Sequence, residues 1–272
     1  MVKLIAIDLD GTLLDDHKEI SQANKEAVQA ALAQGVEVAI ATGRPLEAIQ
    51  HLLDQLGLNT ADHYSLTYNG GLVIQNYLGE AMSKRTLPSD QVTPIAQSLL
   101  SLDLPVVAVG LDQVYEYPYP DGHPSNYHKT MPFLPFTGVE NMDSDAQSAI
   151  FKLVVATEAD HLASRLEEIP ESLRNDYSVM QSHPHQLEIM PKGVDKGQGL
   201  SQLAKLLGIP QAQVMAIGDE ENDLAMLQWA GIAVAMGNAR SDVKAIADYV
   251  TANNQDSGVA QAIRHFLAEL PH

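Results

Sequence analysis

Short, continuously apolar runs alternate with longer helical stretches at both ends of the chain, and this rhythm constrains the fold more than any other feature. Leu4–Ile7, Val36–Ala41, Val214–Ile217 and Ile232–Ala235 lack the in-out alternation of a half-exposed strand and read as strands buried on both faces. Ser21–Gln34 has the pattern of a helix, with Ser21 as N-cap and Gly35 just past its end. Pro45–Leu56 opens with proline in its first turn and stops at Gly57. Lys196–Leu207 stops at Gly208, and Glu221–Ala230 stops at Gly231. The order predicts an α/β fold, a Rossmann-like doubly wound parallel sheet with helices on both faces.

The middle of the chain breaks that rhythm. It holds most of the prolines, and its candidate strands are separated by turns: Val106–Val109, Val114–Tyr117, Phe151–Ala156, Tyr177–Gln181 and Gln186–Met190. Two helical stretches, Asp90–Ser101 and Glu158–Glu168, lie among them. The pattern predicts an α+β domain, residues 83–191, inserted into a core made of 1–82 and 192–272. At ~150 residues per domain, a 272-residue chain accommodates both.

Sixteen basic and thirty-five acidic side chains leave a formal charge of −19. That balance repels a nucleic-acid backbone or an anionic membrane, so neither is expected as a partner. Any anionic substrate must be met by a local device, since the global field opposes it. The absence of cysteine excludes disulfides, thiolate metal sites and a thiol nucleophile. No apolar run approaches the ~18 residues of a membrane span, and Asp8 comes too early for a secretory leader. A cytoplasmic protein, monomer or homodimer, is the expectation.

Asp8-Leu9-Asp10-Gly11-Thr12 follows directly on the first apolar run. Period two puts Asp8 and Asp10 on one side of an extended chain, where two carboxylates repel unless a cation or shared proton lies between them. A calcium loop is excluded, because Gly11 falls at the fourth position where the sixth is required. Thr42-Gly43-Arg44-Pro45 again follows a strand and opens a helix, combining a hydroxyl, a glycine N–H and a helix N-terminus. Thr42 as an ordinary helix cap is the competing reading. Gly218-Asp219-Glu220-Glu221-Asn222-Asp223 follows the third run. Asp219 and Asp223, four apart, can converge on a hard cation, although acidic residues also simply favour a helix start. Lys196, within Lys192-Gly193-Val194-Asp195-Lys196-Gly197, opens the helix leading to that acidic cluster. Asp8, Thr42 and Asp219 thus stand at the carboxyl ends of three different strands, where open α/β sheets bind their ligands.

In their order and spacing these motifs resemble those of the haloacid dehalogenase-like superfamily of aspartate-nucleophile phosphatases. Asp8-x-Asp10-Gly11-Thr12, Thr42-Gly43-Arg44, Lys196 and Gly218-Asp219-x-x-Asn222-Asp223 match its four motifs. The insertion, Thr67-Tyr68-Asn69-Gly70-Gly71 before it and Leu187-Glu188-Ile189 at its end are similar to the Cof-type branch with an α/β cap, the branch of the YidA-type sugar phosphatases. The resemblance implies that Asp8 takes the phosphoryl group and that Asp10 protonates the leaving oxygen and then activates water. It implies that Thr42 binds a phosphoryl oxygen, that Lys196 neutralises developing charge, and that Leu9, Gly43, Arg44, Asn69 and Asn222 contact phosphate or substrate. Magnesium is implied at Asp8, the Asp10 carbonyl and Asp219, with Asp223 orienting its waters or Lys196. A carboxylate attacking a phosphate dianion needs such a cation to offset like-charge repulsion.

The expected activity is hydrolysis of small phosphorylated metabolites, sugar or polyol phosphates, through an aspartyl-phosphate. A phosphomutase using the same intermediate and a non-catalytic phosphate-sensing domain are the alternatives. Two further features carry less: His183-Pro184-His185 places two imidazoles on one face with no third ligand apparent, and Tyr115, Tyr117 and Tyr119 share one face of a strand by period two.

Overall fold

A computed structural model describes residues 1–132, 134–139 and 149–267. They fall into two compact units, Met1–Lys84 with Asp195–His272, and Arg85–Val194. The first unit contains β1 (Leu4–Ile7), β2 (Glu37–Ala41), β3 (Tyr64–Thr67), β4 (Leu72–Gln75) and β5 (Ala81–Lys84). The second contributes β6 (Val106–Val109), β7 (Val114–Glu116), β8 (Phe136–Gly138), β9 (Lys152–Ala156), β10 (Tyr177–His183) and β11 (Gln186–Pro191). The chain then returns to the first for β12 (Val214–Gly218), β13 (Ile232–Ala235) and β14 (Tyr249–Val250). The helices are α1 (Gln22–Ala33), α2 (Gln50–Leu56), α3 (Ser89–Leu100), α4 (Tyr127–Thr130), α5 (Ala159–Arg165), α6 (Glu171–Asp176), α7 (Lys196–Leu206), α8 (Leu224–Trp229), α9 (Ser241–Ile246) and α10 (Gly258–Leu267).

In the first unit the sheet order is β14-β13-β12-β1-β2-β3-β4-β5, parallel from β14 to β3, with β4 and β5 antiparallel. After β1 the chain moves to one side through β2 and β3, and after β12 it moves to the other. The switch therefore lies between β1 and β12, and the crevice beyond their carboxyl ends is where such a sheet binds ligands. Leu4, Ile5, Ala6 and Ile7 are all fully buried, which is why that run is apolar without alternation. Ser21 caps α1 as the sequence predicts, its Oγ accepting from the Asn24 N–H at 3.2 Å.

Three predicted helices are each broken into a 3-10 turn and a shorter α-helix; in Glu158–Glu168 the turn comes last, at Leu166–Glu168 after α5. Pro45 is extended, a 3-10 turn covers Leu46–Ala48, and α2 starts only at Gln50. Ile49 is fully buried, and its N–H bonds the Leu46 carbonyl at 3.0 Å in place of an i−4 partner. Packing of a β-branched side chain thus overrides the helical period. Glu221–Asp223 is likewise a 3-10 turn before α8, because the Asp223 carboxylate reaches back to the Glu220 N–H in a capping box. The β3–β4–β5 edge is an addition to the predicted strands.

The second unit is a six-stranded sheet of order β10-β11-β9-β6-β7-β8, antiparallel except for β7 with β8. Its core joins alternate sheet residues, Val106 and Ala108, Leu153 and Val155, Leu187 and Ile189, to Val92, Ile95 and Leu99 of α3. Leu162 of α5 and Leu173 of α6 complete it. The period-two set on the strands and the period of three to four on α3 define one buried layer between sheet and helices.

Candidate active site

Asp8 continues β1 by one residue, its N–H donating to the Ile217 carbonyl of β12 at 3.1 Å. The chain then wraps tightly: Leu13 N–H bonds the Asp8 carbonyl at 3.2 Å and Leu14 N–H the Leu9 carbonyl at 2.9 Å. Gly11 sits inside this wrap at φ +82°, and a Cβ there would stand 2.3 Å from Asp219 Oδ2. Only glycine fits both demands. The next residue, Thr12, donates its hydroxyl to Asp219 Oδ1 at 2.8 Å, so the first and third motifs are pinned together.

α7 begins at Lys196, capped by Asp195, whose side chain accepts from the Gln198 N–H at 2.7 Å. That places the ammonium, fully buried, 2.6 Å from Asp8 Oδ1 and 2.6 Å from Asp223 Oδ1. The remaining oxygen of Asp223 accepts from the Asp219 and Glu220 N–H groups at 2.9 and 3.0 Å. Asp223 is therefore spent on holding Lys196 and its own turn. Asp8, Asp219 and Asp223 can each offer a carboxylate oxygen within 4.8 Å of the others, the arrangement among the described residues that could hold a metal ion.

The charge balance of this centre is unfavourable as it stands. Burial, then Asp223 and Asp219, push the Asp8 carboxyl well above the usual carboxylate range despite Lys196. Burial, then Asp223, lift Asp219 to about 7. Burial works against the Lys196 charge, but Asp223 and Asp8 outweigh it and hold the ammonium protonated. One cation thus serves three buried carboxylates, and an added divalent cation fits both the donor set and the deficit.

Asp10 faces elsewhere. Arg44 grips it through Nε to Oδ2 at 2.9 Å and Nη2 to Oδ1 at 2.6 Å, and Lys18 Nζ lies 2.8 Å from Oδ1. Burial raises its pKa, but Arg44 and then Lys18 prevail and keep the carboxyl below its ordinary range. Its side chain is no part of the acidic trio. Thr42 is buried, and its Oγ1 accepts from the Arg44 N–H at 3.1 Å, leaving the hydroxyl proton to donate. Thr42 does not cap a helix, and α2 begins too far on for its dipole to aim at this residue. The expected helix-terminus anion site is corrected to a threonine turn. Asn69, in the left-handed region at φ 53°, donates its N–H to the Thr42 carbonyl at 2.9 Å and accepts from Asn222 Nδ2 at 3.2 Å. A Cβ on Gly43 would lie 3.1 Å from the Asn69 amide, so Thr42-Gly43-Arg44, Asn69 and Asn222 form one contiguous edge. The Leu9 side chain is fully buried, leaving its backbone as the part able to meet a ligand.

Sequence reasoning missed Lys18 and Asn238. Asn238 follows β13, so the carboxyl-end rule that selected Asp8 and Asp219 applies to it as well. His183 and His185 stack at 5.5 Å between ring centroids, but they belong to no group of three metal-ligating side chains among the described residues. Tyr117 is buried in the second unit's core with its hydroxyl 3.2 Å from Thr93 Oγ1, and Tyr115 packs against that core. Tyr119 lies beyond β7 and bonds Glu116, so the three tyrosines do not line one strand face.

Two consequences are measurable without substrate. A Cβ on Gly218 would meet the Asp223 Cβ and Cγ at 2.6 Å, so Gly218→Ala should destabilise by about 1–3 kcal/mol in urea unfolding. Gly138→Ala, where nothing lies within 4 Å, should be near neutral. In chelator, Asp219 keeps a proton up to about pH 7 in the fold, whereas an unfolded aspartate releases it near ~4. The native state then holds more protons across that interval, and stability falls as pH rises through it. Thermal melts in chelator should drop from pH 5 to pH 8, and a rising Tm would contradict this ordering.

An acidic centre at the switch point of a doubly wound sheet defines an α/β enzyme core. The chain belongs to the haloacid dehalogenase-like hydrolase family, which it matches over residues 5–263. It is 38% identical over 266 residues to M6_Spy0533 of Streptococcus pyogenes serotype M6, a protein named as a phosphatase, covering 98% of each chain. It is 31% identical to YcsE of Bacillus subtilis, a 5-amino-6-(5-phospho-D-ribitylamino)uracil phosphatase, covering 98% of this chain and 96% of that one. Among solved structures, a haloacid dehalogenase-like hydrolase from Bacteroides thetaiotaomicron superposes with a TM-score of 0.85 at 32% identity, over 98% and 100% of the two chains. The subclass IIB sugar phosphatase BT4131 does so with a TM-score of 0.79 at 26% identity, over 97% and 99%. No described helix is long and apolar enough to cross a membrane.

Proposed function

We propose that this chain is a magnesium-dependent phosphatase of small phosphorylated metabolites, working through a phosphoryl group carried on Asp8. The observation that carries the reading is the buried Asp8 carboxylate held 2.6 Å from Lys196 beside Asp219, at the end of β1. Asp8, Asp219 and the Asp10 carbonyl are the groups that would hold magnesium, with Asp223 behind them. When bound, the ion supplies the positive charge that lets an anionic nucleophile approach an anionic phosphate.

The chain's own groups do the rest. An Asp8 oxygen bonds to phosphorus as the ester oxygen departs, and Asp10 gives that oxygen its proton. Asp10 then takes a proton from water, whose oxygen bonds to phosphorus and frees Asp8. Asp10 is gripped by Arg44 and Lys18 on both oxygens, so it must exchange these contacts to carry a proton. A phosphate entering beside Thr42-Gly43-Arg44 is a natural competitor for the Arg44 fork. The Thr42 hydroxyl, the Leu9 N–H and Asn222 are placed on the phosphoryl oxygens, and Lys196 stabilises charge on them.

The inserted 83–191 domain is assigned the selection of the leaving group, in favour of sugar or polyol phosphates. The named substrate of YcsE, a phosphorylated ribityl compound, supports that class. A phosphate-release panel tests the proposal: kcat/KM for hexose and pentitol phosphates should exceed that for a phosphopeptide or a 5′-phosphorylated duplex. Comparable values would remove the size selection. Conversion to an isomeric ester without free phosphate would make the chain a mutase, and no turnover of any ester would make it a sensing domain.

A further inference from the structure

Asn238 is an exposed side chain whose hydrogen-bonding groups all turn inward. Its Nδ2 donates to the Gly11 carbonyl at 2.8 Å and to Asp219 Oδ2 at 3.3 Å. Its Oδ1 accepts from the Asn254 N–H at 3.0 Å. Asn254 in turn donates its own Nδ2 to the Leu14 carbonyl at 3.0 Å. One amide thereby ties together the loops that follow β1, β12 and β14, while standing itself after β13. An exposed asparagine gains little from such bonds over water, so a set of three directed inward marks a positional demand.

The demand is at Asp219. Thr12 Oγ1 holds Oδ1 at 2.8 Å and Asn238 holds Oδ2, so both oxygens have a neutral donor that fixes the plane of the carboxylate. Neutral donors bring no positive charge to offset the carboxylate's own, and each oxygen keeps a second lone pair for a cation. A lysine or arginine at 238 would hold the carboxylate as well but would cancel the charge. The Gly11 contact matters for the same reason: Gly11 lies against Asp219, with no room for a Cβ between them. A slip of the Gly11 backbone would therefore carry Asp219 with it.

We propose that Asn238 is a positioning residue, which orients Asp219 for a divalent cation by clamping its free oxygen and the Gly11 backbone at once. This rests on the metal reading of Asp8 and Asp219, and the test separates the two. Mn²⁺ serves as the probe, its binding to the intact protein followed by the loss of the free-ion electron paramagnetic resonance signal. Asn238→Ala should raise the Mn²⁺ Kd by about tenfold, in the range seen for partners that orient metal ligands. Asn238→Leu, similar in shape but without donors, should do the same. In chelator the Tm of both variants should stay within a few degrees of the parent, while the Tm increment on adding Mn²⁺ shrinks. A purely structural role gives the opposite pattern, a lower Tm in chelator with an unchanged Kd. If Asn238→Ala does not fold, Asn238→Ser, which keeps a short donor, should show an intermediate Kd. Parent protein that binds Mn²⁺ with variants within twofold of it would overturn the role of Asn238 and leave the metal reading standing. Parent protein that binds no Mn²⁺ would overturn both.

Discussion

Asp8→Asn should yield a folded protein that releases phosphate about 10⁴-fold more slowly than the parent, or not at all. The amide is the same shape, and its oxygen can still accept from Lys196 at the 2.6 Å position, so the wrap from Asp8 to Leu14 is undisturbed. It has no anionic lone pair to bond to phosphorus and cannot form the mixed anhydride. The stability change runs the other way from the activity. Burial and the neighbouring Asp223 and Asp219 oppose the Asp8 charge, so removing it relieves repulsion in the metal-free protein. Chelated Asp8→Asn should melt no lower than the chelated parent at pH 7. Steady-state phosphate release and a melt in chelator read both effects. Retention of even a tenth of the activity would rule out Asp8 as the attacking group.

Lys196→Met should be damaging on both counts. The ammonium is fully buried and bonds Asp8 and Asp223 at once, and the thioether leaves two buried carboxylates without their cation. Breaking a buried pair by removing one partner costs about 3–5 kcal/mol. The loss should appear in urea unfolding at pH 7 and shrink at pH 5, because the Asp8 carboxyl, raised by burial, takes up a proton more fully and has less need of the cation. Saturating Mg²⁺ should also recover part of it. Turnover should fall by about 10³-fold even at a pH and metal concentration where the variant is folded, since charge developing on the phosphoryl oxygens loses its buried cation. A variant as stable as the parent at pH 7 would show that the trio is not charged as described.

Much of this was legible because it is local. Four apolar runs marked β1, β2, β12 and β13, and Ser21 marked the start of α1, since burial and capping act within a few residues. Three of those runs also located Asp8, Thr42 and Asp219, which stand at their carboxyl ends. Other features depend on partners distant in sequence. Nothing near Asp10 announces that Arg44 and Lys18 hold it, and nothing near Thr12 announces Asp219. The breaks at Ile49 and Asp223 arise from tertiary packing and from one carboxylate serving two backbone N–H groups, which outweigh helix propensity. The β3–β4–β5 edge was not legible because its strands are four residues each and β5 is mostly exposed, so it carries no apolar pattern. Asn238 was within reach, in the turn three residues past β13, but its partners lie on other loops.

The most direct measurement is to locate the phosphorus during turnover. Asp10→Asn removes the group assigned to activate water, so it should slow release of the phosphoryl group more than its arrival. This variant is mixed with a ³²P-labelled sugar phosphate, quenched in acid, digested and mapped. Label confined to the peptide containing Asp8, released by hydroxylamine as an acyl phosphate is, is the expected result. Parent enzyme that turns over the same ester while neither protein carries label at Asp8, or label on a histidine peptide in its place, would contradict the aspartyl-phosphate route.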